Sequence, residues 1–183
     1  FNFARKKNIT LFSTPFDESA AELLTNVGTP AFKISSFENT DIGLLKNVAS
    51  RGKPVLVSSG MADKIEIKKA VKAIRQSGCE DLLLFHCISA YPTPLASSKL
   101  GMIKMLSDEF KVLVGLSDHT LGNEAAVAAV MLGAVAIEKH FTLDRSLGGE
   151  DSSFSVEPKE FSKLVKTTKE VWKSMRDKSW TRT

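Results

Sequence analysis

Short apolar runs recur along this chain at 9–13, 31–35, 54–58, 82–87, 112–116 and 134–138, their starts about 20 to 30 residues apart. That interval is the size of one βα unit. The runs are almost wholly apolar, which predicts parallel strands covered by helices rather than half-exposed antiparallel ones. Between them, apolar residues return at helical spacing, as in Ile65, Ala70, Val71 and Ile74 and again over 125–132, and a last amphipathic helix is expected over 158–176. The expectation is an α/β chain of six successive βα units.

Periodicity alone does not separate a doubly wound sheet from a closed barrel. The strand ends do more. Each finishes in polar or reactive residues: Ser13-Thr14, Ser35-Ser36, Ser58-Ser59, His86-Cys87, Ser117-Asp118-His119 and Glu138-Lys139-His140. A barrel gathers all strand C-termini at one mouth, whereas an open sheet spreads them along an edge. An incomplete (β/α)8 TIM barrel is therefore expected over 1–176, with two units missing. Residues 1–8 read as the tail of a preceding helix, which places the missing first two strands upstream, and 177–183 read as a linker or tail.

The remaining sequence properties mainly exclude. With 183 residues, 43% of them hydrophobic and 25% charged, the chain has the composition of one globular domain. Its lysines and arginines are scattered over predicted helices, and that pattern argues against a nucleic-acid partner despite a net charge of +4. No apolar run reaches the roughly 20 residues of a membrane span, and no secretion leader is recognisable, so a membrane partner is not expected and the cytoplasm is the expected location. Cys79 and Cys87 form neither a CxxC pair nor a disulfide framework and are expected to be reduced thiols.

His119 and His140 end two successive predicted strands, and neighbouring strands lie about 4.8 Å apart, so both imidazoles can reach one cation. Two histidines without a third nitrogen or a thiolate suit an open catalytic divalent ion completed by water or substrate. The alternative is that each ring merely bonds a neighbouring carboxylate or caps its strand. Asp118 and Glu138 stand beside the pair and could orient the rings or accept protons; equally, they could serve in caps or salt bridges. Thr14, Lys33, Ser36, Ser58, Ser89, Tyr91 and Ser117 supply one cation and several hydroxyls suited to a small phosphorylated acid, although strand-end serines also occur for turn reasons. Lys33 interrupts an apolar core strand, where an unpaired charge is costly, and a Schiff-base role is open to it. The Gly-, Asp- and Ser-rich loop 143–155 lies where barrels read substrates.

Taken together, FSTPF (12–16), AFKISS (31–36), LVSSGM (56–61), HCISAYPTP (86–94), GLSDHT (115–120) and EKHFTLDRS (138–146) resemble the sialic acid synthase family, the likeness running over 9–176. The resemblance implies condensation of phosphoenolpyruvate with an open-chain N-acetylated amino sugar to a sialic-type 2-keto acid and phosphate. It implies His119 and His140 as ligands of manganese, with magnesium or cobalt as alternatives. It further implies Thr14, Lys33, Ser36, Ser58, Ser89, Tyr91 and Ser117 around phosphoenolpyruvate, Glu138 and Asp151 on the sugar side, and Glu138 and Lys33 as catalytic groups. The segment GGEDSSFS (148–155) and Ser89 look most like pseudaminic acid synthases, with N-acetylneuraminate synthases and spore-coat polysaccharide enzymes as alternatives.

The family pattern also includes two upstream strands and a C-terminal antifreeze-like domain that contributes to the partner's site in a homodimer; neither is in this sequence. This chain alone is accordingly expected to be inactive or nearly so. Two other readings compete. A barrel making 3-deoxy sugar acids from phosphorylated sugars needs more basic residues, and only Lys33, Lys139 and Arg145 are candidates for a second phosphate. A non-catalytic sugar-binding scaffold would be marked by loss of site residues.

Overall fold

The structure is a computed structural model that describes residues 1–176; the expected linker or tail at 177–183 lies outside the described residues. The chain falls into two compact units, the first Phe1–Phe85 with Leu106–Leu113 and the second His86–Met105 with the chain from Val114 onward.

The first unit opens with helix α1 (Asn2–Lys6) and helix α2 (Glu18–Asn26), and continues through strand β1 (Phe32–Ile34), helix α3 (Ile42–Ala49), strand β2 (Val55–Ser58) and helix α4 (Lys64–Gln76) to strand β3 (Leu82–Cys87), which starts in this unit. β1 pairs with β2, and β2 with β3, all parallel. Three helix starts are written in the sequence: the Asp17, Asp41 and Asp63 side chains accept from the first turns of α2, α3 and α4. At α4 the Glu66 carboxylate reaches back to the Asp63 N–H at 2.8 Å, closing a capping box. Phe32, Ile34, Val55, Val57 and Leu84 on the strands are buried, as are Leu45, Val48 and Ile74 on the helices.

The run at 9–13, expected to be a strand, is not one. Only Ser13 joins the sheet, its carbonyl accepting from the Lys33 N–H at 3.2 Å. Ile9, Leu11 and Phe12 are exposed, with Ile9 61% open to solvent, so within the described residues the apolar run has neither a ladder nor a cover. The described residues thus carry five named strands where six were expected.

The second unit holds strand β4 (Leu113–Asp118, entering from Val114), helix α6 (Glu124–Met131), strand β5 (Ile137–Lys139) and helix α7 (Pro158–Ser174); helix α5 (Met102–Phe110) begins here as well. β4 and β5 are parallel, with Leu116 facing Ile137, Ser117 facing Glu138 and Asp118 facing Lys139. α6 buries the small side chains of Ala125, Ala126 and Ala129 and packs against α7. α7 begins at Pro158, whose missing N–H costs nothing in a first turn, and Glu157 and Glu160 form its capping box. No helix of the described residues is long and apolar enough to cross a membrane. Cys79 and Cys87 are both buried, and neither is in a disulfide.

Candidate active site

Strand alternation decides what Lys33 can touch. Its neighbours Phe32 and Ile34 point into the helical core, so Lys33 points the other way, toward the face shared by Leu56 and Ser58 of β2. Burying an ammonium is costly unless it is hydrogen-bonded. Here Lys33, 8% exposed, donates from Nζ to Ser58 Oγ at 2.6 Å and to the Ile34 carbonyl at 3.4 Å, and it stands 5.5 Å from the centre of the Phe85 ring. Asn39, buried, holds the end of β2 in place by donating to the Ser58 carbonyl at 2.9 Å and the Gly60 carbonyl at 3.3 Å. Thr14, next to the bridging Ser13, and Ser36, just after β1, are both half-buried. Of the expected phosphoenolpyruvate residues, the structure therefore joins Lys33 and Ser58 directly.

In the second unit the same alternation sorts two runs of three positions, 117–119 and 138–140, into two faces. Ser117 and His119 share one side of β4 and its extension, Glu138 and His140 share the matching side of β5, and Asp118 and Lys139 occupy the reverse. Because the strands are in register, the pairs meet: Ser117 Oγ donates to Glu138 Oε1 at 2.7 Å, and the His119 and His140 rings lie 5.2 Å apart between centres. The exposed Tyr91 and the buried Phe154 complete the surround, Tyr91 at 4.4 Å from the His119 ring and Phe154 at 5.0 Å from the His140 ring.

Each histidine has one nitrogen already committed. His119 Nδ1 is 2.9 Å from the Ile88 carbonyl, which can only accept, so Nδ1 carries the proton and Nε2 keeps its lone pair. His140 Nδ1 is 3.1 Å from Asp151 Oδ2, so this ring too is held through Nδ1. Burial first, and then the neighbouring His140, pushes the His119 pKa below its ordinary value, against the opposing pull of the Ile88 carbonyl bond. A neutral ring with a bare Nε2 is what a metal ligand requires, and a carbonyl or carboxylate behind Nδ1 is the usual way to aim it. The donor set fits an open divalent site, and among the described residues no group of three or more His, Cys, Asp or Glu is arranged to hold a metal.

The loop bearing Ser89 and Tyr91 is fixed to β4: the Thr93 N–H donates to the His119 carbonyl at 2.9 Å, and Thr93 Oγ1 donates to the Ala90 carbonyl at 2.8 Å. Burial, together with the nearby Cys87, Asp151 and Glu138, raises the Tyr91 pKa, with the Ser89 hydroxyl opposing, so the phenol stays protonated. Asp151 stands in the 143–155 loop with its side chain 55% exposed, facing His140.

Three charged residues prove to have structural partners. Lys139 and Asp118 form an ion pair at 2.7 Å, with side chains 1% and 0% exposed, so Asp118 stands on the face away from the imidazoles. Arg145 donates to the Ser155 carbonyl at 2.9 Å and is held by Glu157, the N-cap of α7, and by Glu160 in its first turn. Lys139 and Arg145, the expected candidates for a second phosphate, are thus both engaged by carboxylates of their own chain, Lys139 with its side chain closed to solvent. Sequence reasoning overlooked Asn39 and the aromatic wall of Phe154, and it did not pair Asp118 with Lys139. Alternation from the histidines would have placed that pair on the opposite face.

A family model described as the NeuB family matches residues 1–179. The N,N'-diacetyllegionaminic acid synthase of Campylobacter jejuni is 41% identical over 95% of this chain and 53% of its own length, and the pseudaminic acid synthase of Helicobacter pylori is 39% identical over 93% and 50%. The crystal structure of an N-acetylneuraminic acid (sialic acid) synthetase from Leptospira borgpetersenii, in complex with citrate, superposes with a TM-score of 0.94 at 36% identity, covering 100% of this chain and 64% of that one. The chain spans about half the length of the curated relatives it matches.

Proposed function

Since this chain belongs to the NeuB family, we propose that the protein carrying it condenses phosphoenolpyruvate with an open-chain N-acetylated amino sugar, giving a sialic-type 2-keto acid and phosphate. In this reading the βα succession is part of a (β/α)8 barrel, and the enzyme is a cytoplasmic homodimer. The observation that carries the reading is the His119–His140 pair, each ring held through Nδ1, beside a glutamate in hydrogen-bonded register.

C3 of the enol attacks the sugar aldehyde carbon, forming the new C–C bond while the aldehyde oxygen takes a proton; water then adds at C2 and phosphate departs. Lys33 and Ser58 hold anionic oxygens of phosphoenolpyruvate, a positioning role that lowers the entropic cost of bringing two substrates together. Glu138, oriented by the Ser117 hydroxyl, holds or moves a proton on the sugar side. A divalent ion on His119 and His140, manganese in this reading, would supply Lewis-acid polarisation of the aldehyde oxygen.

The GGEDSSFS segment favours a pseudaminic acid synthase acting on a 2,4-diacetamido-trideoxy sugar. A second reading, legionaminic acid synthesis, is supported by the 41% identity to the Campylobacter enzyme, whose name also specifies two acetyl groups. Phosphate release by the intact protein with manganese, offered N-acetylmannosamine and the diacetamido precursors of pseudaminic and legionaminic acid separately, tests both. Release with only the pseudaminic precursor is expected. Release with N-acetylmannosamine alone would overturn the diacetamido assignment, and release with no sugar would overturn the reaction.

A further inference from the structure

We propose that Asp118 and Lys139, which take no part in the chemistry above, form a positioning clamp that fixes the spacing and aim of His119 and His140. The inference rests on the metal-ligand reading of those histidines.

Each clamp residue immediately precedes one histidine, and the two face each other in register across β4 and β5. The Lys139 ammonium has three donors and three acceptors around it: Asp118 Oδ2 at 2.7 Å, the Thr120 carbonyl at 2.6 Å and the Gly122 carbonyl at 3.0 Å. The other Asp118 oxygen accepts from the Thr120 N–H at 2.9 Å. The backbone from 118 to 122, which carries His119, is therefore folded around one ammonium supplied by the residue beside His140. A shift of either strand end breaks charge-assisted bonds in a site closed to water, and buried partners of this kind are not replaced by solvent. The histidine backbones are held at both ends of their rings' reach: Nδ1 fixes each ring's rotation, and the clamp fixes the strand ends from which the rings project.

The pair is electrically neutral, which gives its role a distinctive sign. Replacing Lys139 by methionine leaves the Asp118 carboxylate unbalanced near the histidines, and by charge alone this would tighten a cation. Loss of positioning does the reverse, and outer partners of metal ligands are typically worth about 10–100-fold in affinity.

The test is the manganese(II) affinity of the intact protein, read from the electron paramagnetic resonance signal of free manganese, well below each variant's melting temperature. Wild type should bind, His119→Ala should lose binding, and Lys139→Met should weaken it by about 10–100-fold. The double variant Asp118→Asn/Lys139→Met removes both charges together, keeps the assay usable if the single variant fails to fold, and should be weakened similarly. Lys139→Met and the double variant binding as tightly as wild type, or more tightly, while His119→Ala does not bind, would overturn the clamp alone. Wild-type binding that His119→Ala leaves unchanged, or no wild-type binding, would overturn the metal-ligand reading and the clamp with it.

Discussion

Ser117 donates a 2.7 Å hydrogen bond from Oγ to Oε1 of Glu138, across a register that sets the two residues directly opposite one another on β4 and β5. Hydrogen bonds to a charged partner contribute roughly 1.5–3 kcal/mol, so Ser117→Ala is expected to lower kcat/KM about tenfold or more. Glu138→Gln should lower it further, because it removes the proton-handling oxygen as well. Steady-state phosphate release for the two variants and their combination checks this; a Ser117→Ala protein with wild-type kcat/KM would separate the serine from the reaction.

Lys33 is expected to act on phosphoenolpyruvate as a charged donor. Lys33→Met should raise KM for phosphoenolpyruvate by about 10–100-fold, the equivalent of one charge-assisted hydrogen bond, with the smaller change in kcat. Borohydride treatment in the presence of either substrate should leave the protein mass unchanged. A trapped adduct at Lys33 would show that the Schiff-base role is real.

Asp151 is tied to His140 in the structure, and we propose a second role for it on the sugar side. Asp151→Ala is expected to weaken manganese binding about tenfold as well as to raise KM for the sugar, because the carboxylate behind Nδ1 aims the ring. Unchanged manganese affinity with a raised sugar KM would confine Asp151 to the substrate.

His86, away from the histidine pair in sequence and buried, donates from Nε2 to the Ser98 carbonyl at 2.7 Å. Burial pushes its pKa below the ordinary value. Because the folded value is the lower one, the neutral ring's contribution to stability is fully present above the unfolded pKa of about 6.5 and is lost as pH falls through that value toward the folded one. Melting temperature should therefore fall between pH 8 and pH 5.5, and His86→Gln should flatten that fall while costing about 1 kcal/mol at pH 8. Equal slopes for the two proteins would contradict this.

What the sequence discloses here follows a simple physical division. The observed β1, β2, β3, β4 and β5 fall within or beside their apolar runs, since a parallel strand covered by helices must be apolar throughout. The run at 9–13 misleads because hydrophobicity signals a strand only where a ladder accepts it, and here only Ser13 bridges. The histidine pair was legible because strand ends project their terminal side chains in a known direction. The Asp118–Lys139 clamp was not, because pairing depends on register, and proximity in sequence to the histidines suggested the wrong face. Asp151 and Arg145 lie in a loop whose path is set by the Val156 N–H bonding the His140 carbonyl and by the carboxylates of α7, contacts that periodicity does not encode.

The central claim is that His119 and His140 together hold the divalent ion on which condensation depends. The most direct measurement is phosphate release from phosphoenolpyruvate and the diacetamido sugar by the chelated intact protein, before and after manganese, beside His119→Gln and His140→Gln. Silence after chelation, recovery with manganese, and a loss of at least about 100-fold in either variant are predicted, matching the several kcal/mol that metal charge stabilisation provides. Turnover that survives chelation, or a variant that keeps wild-type manganese-dependent activity, would contradict the account.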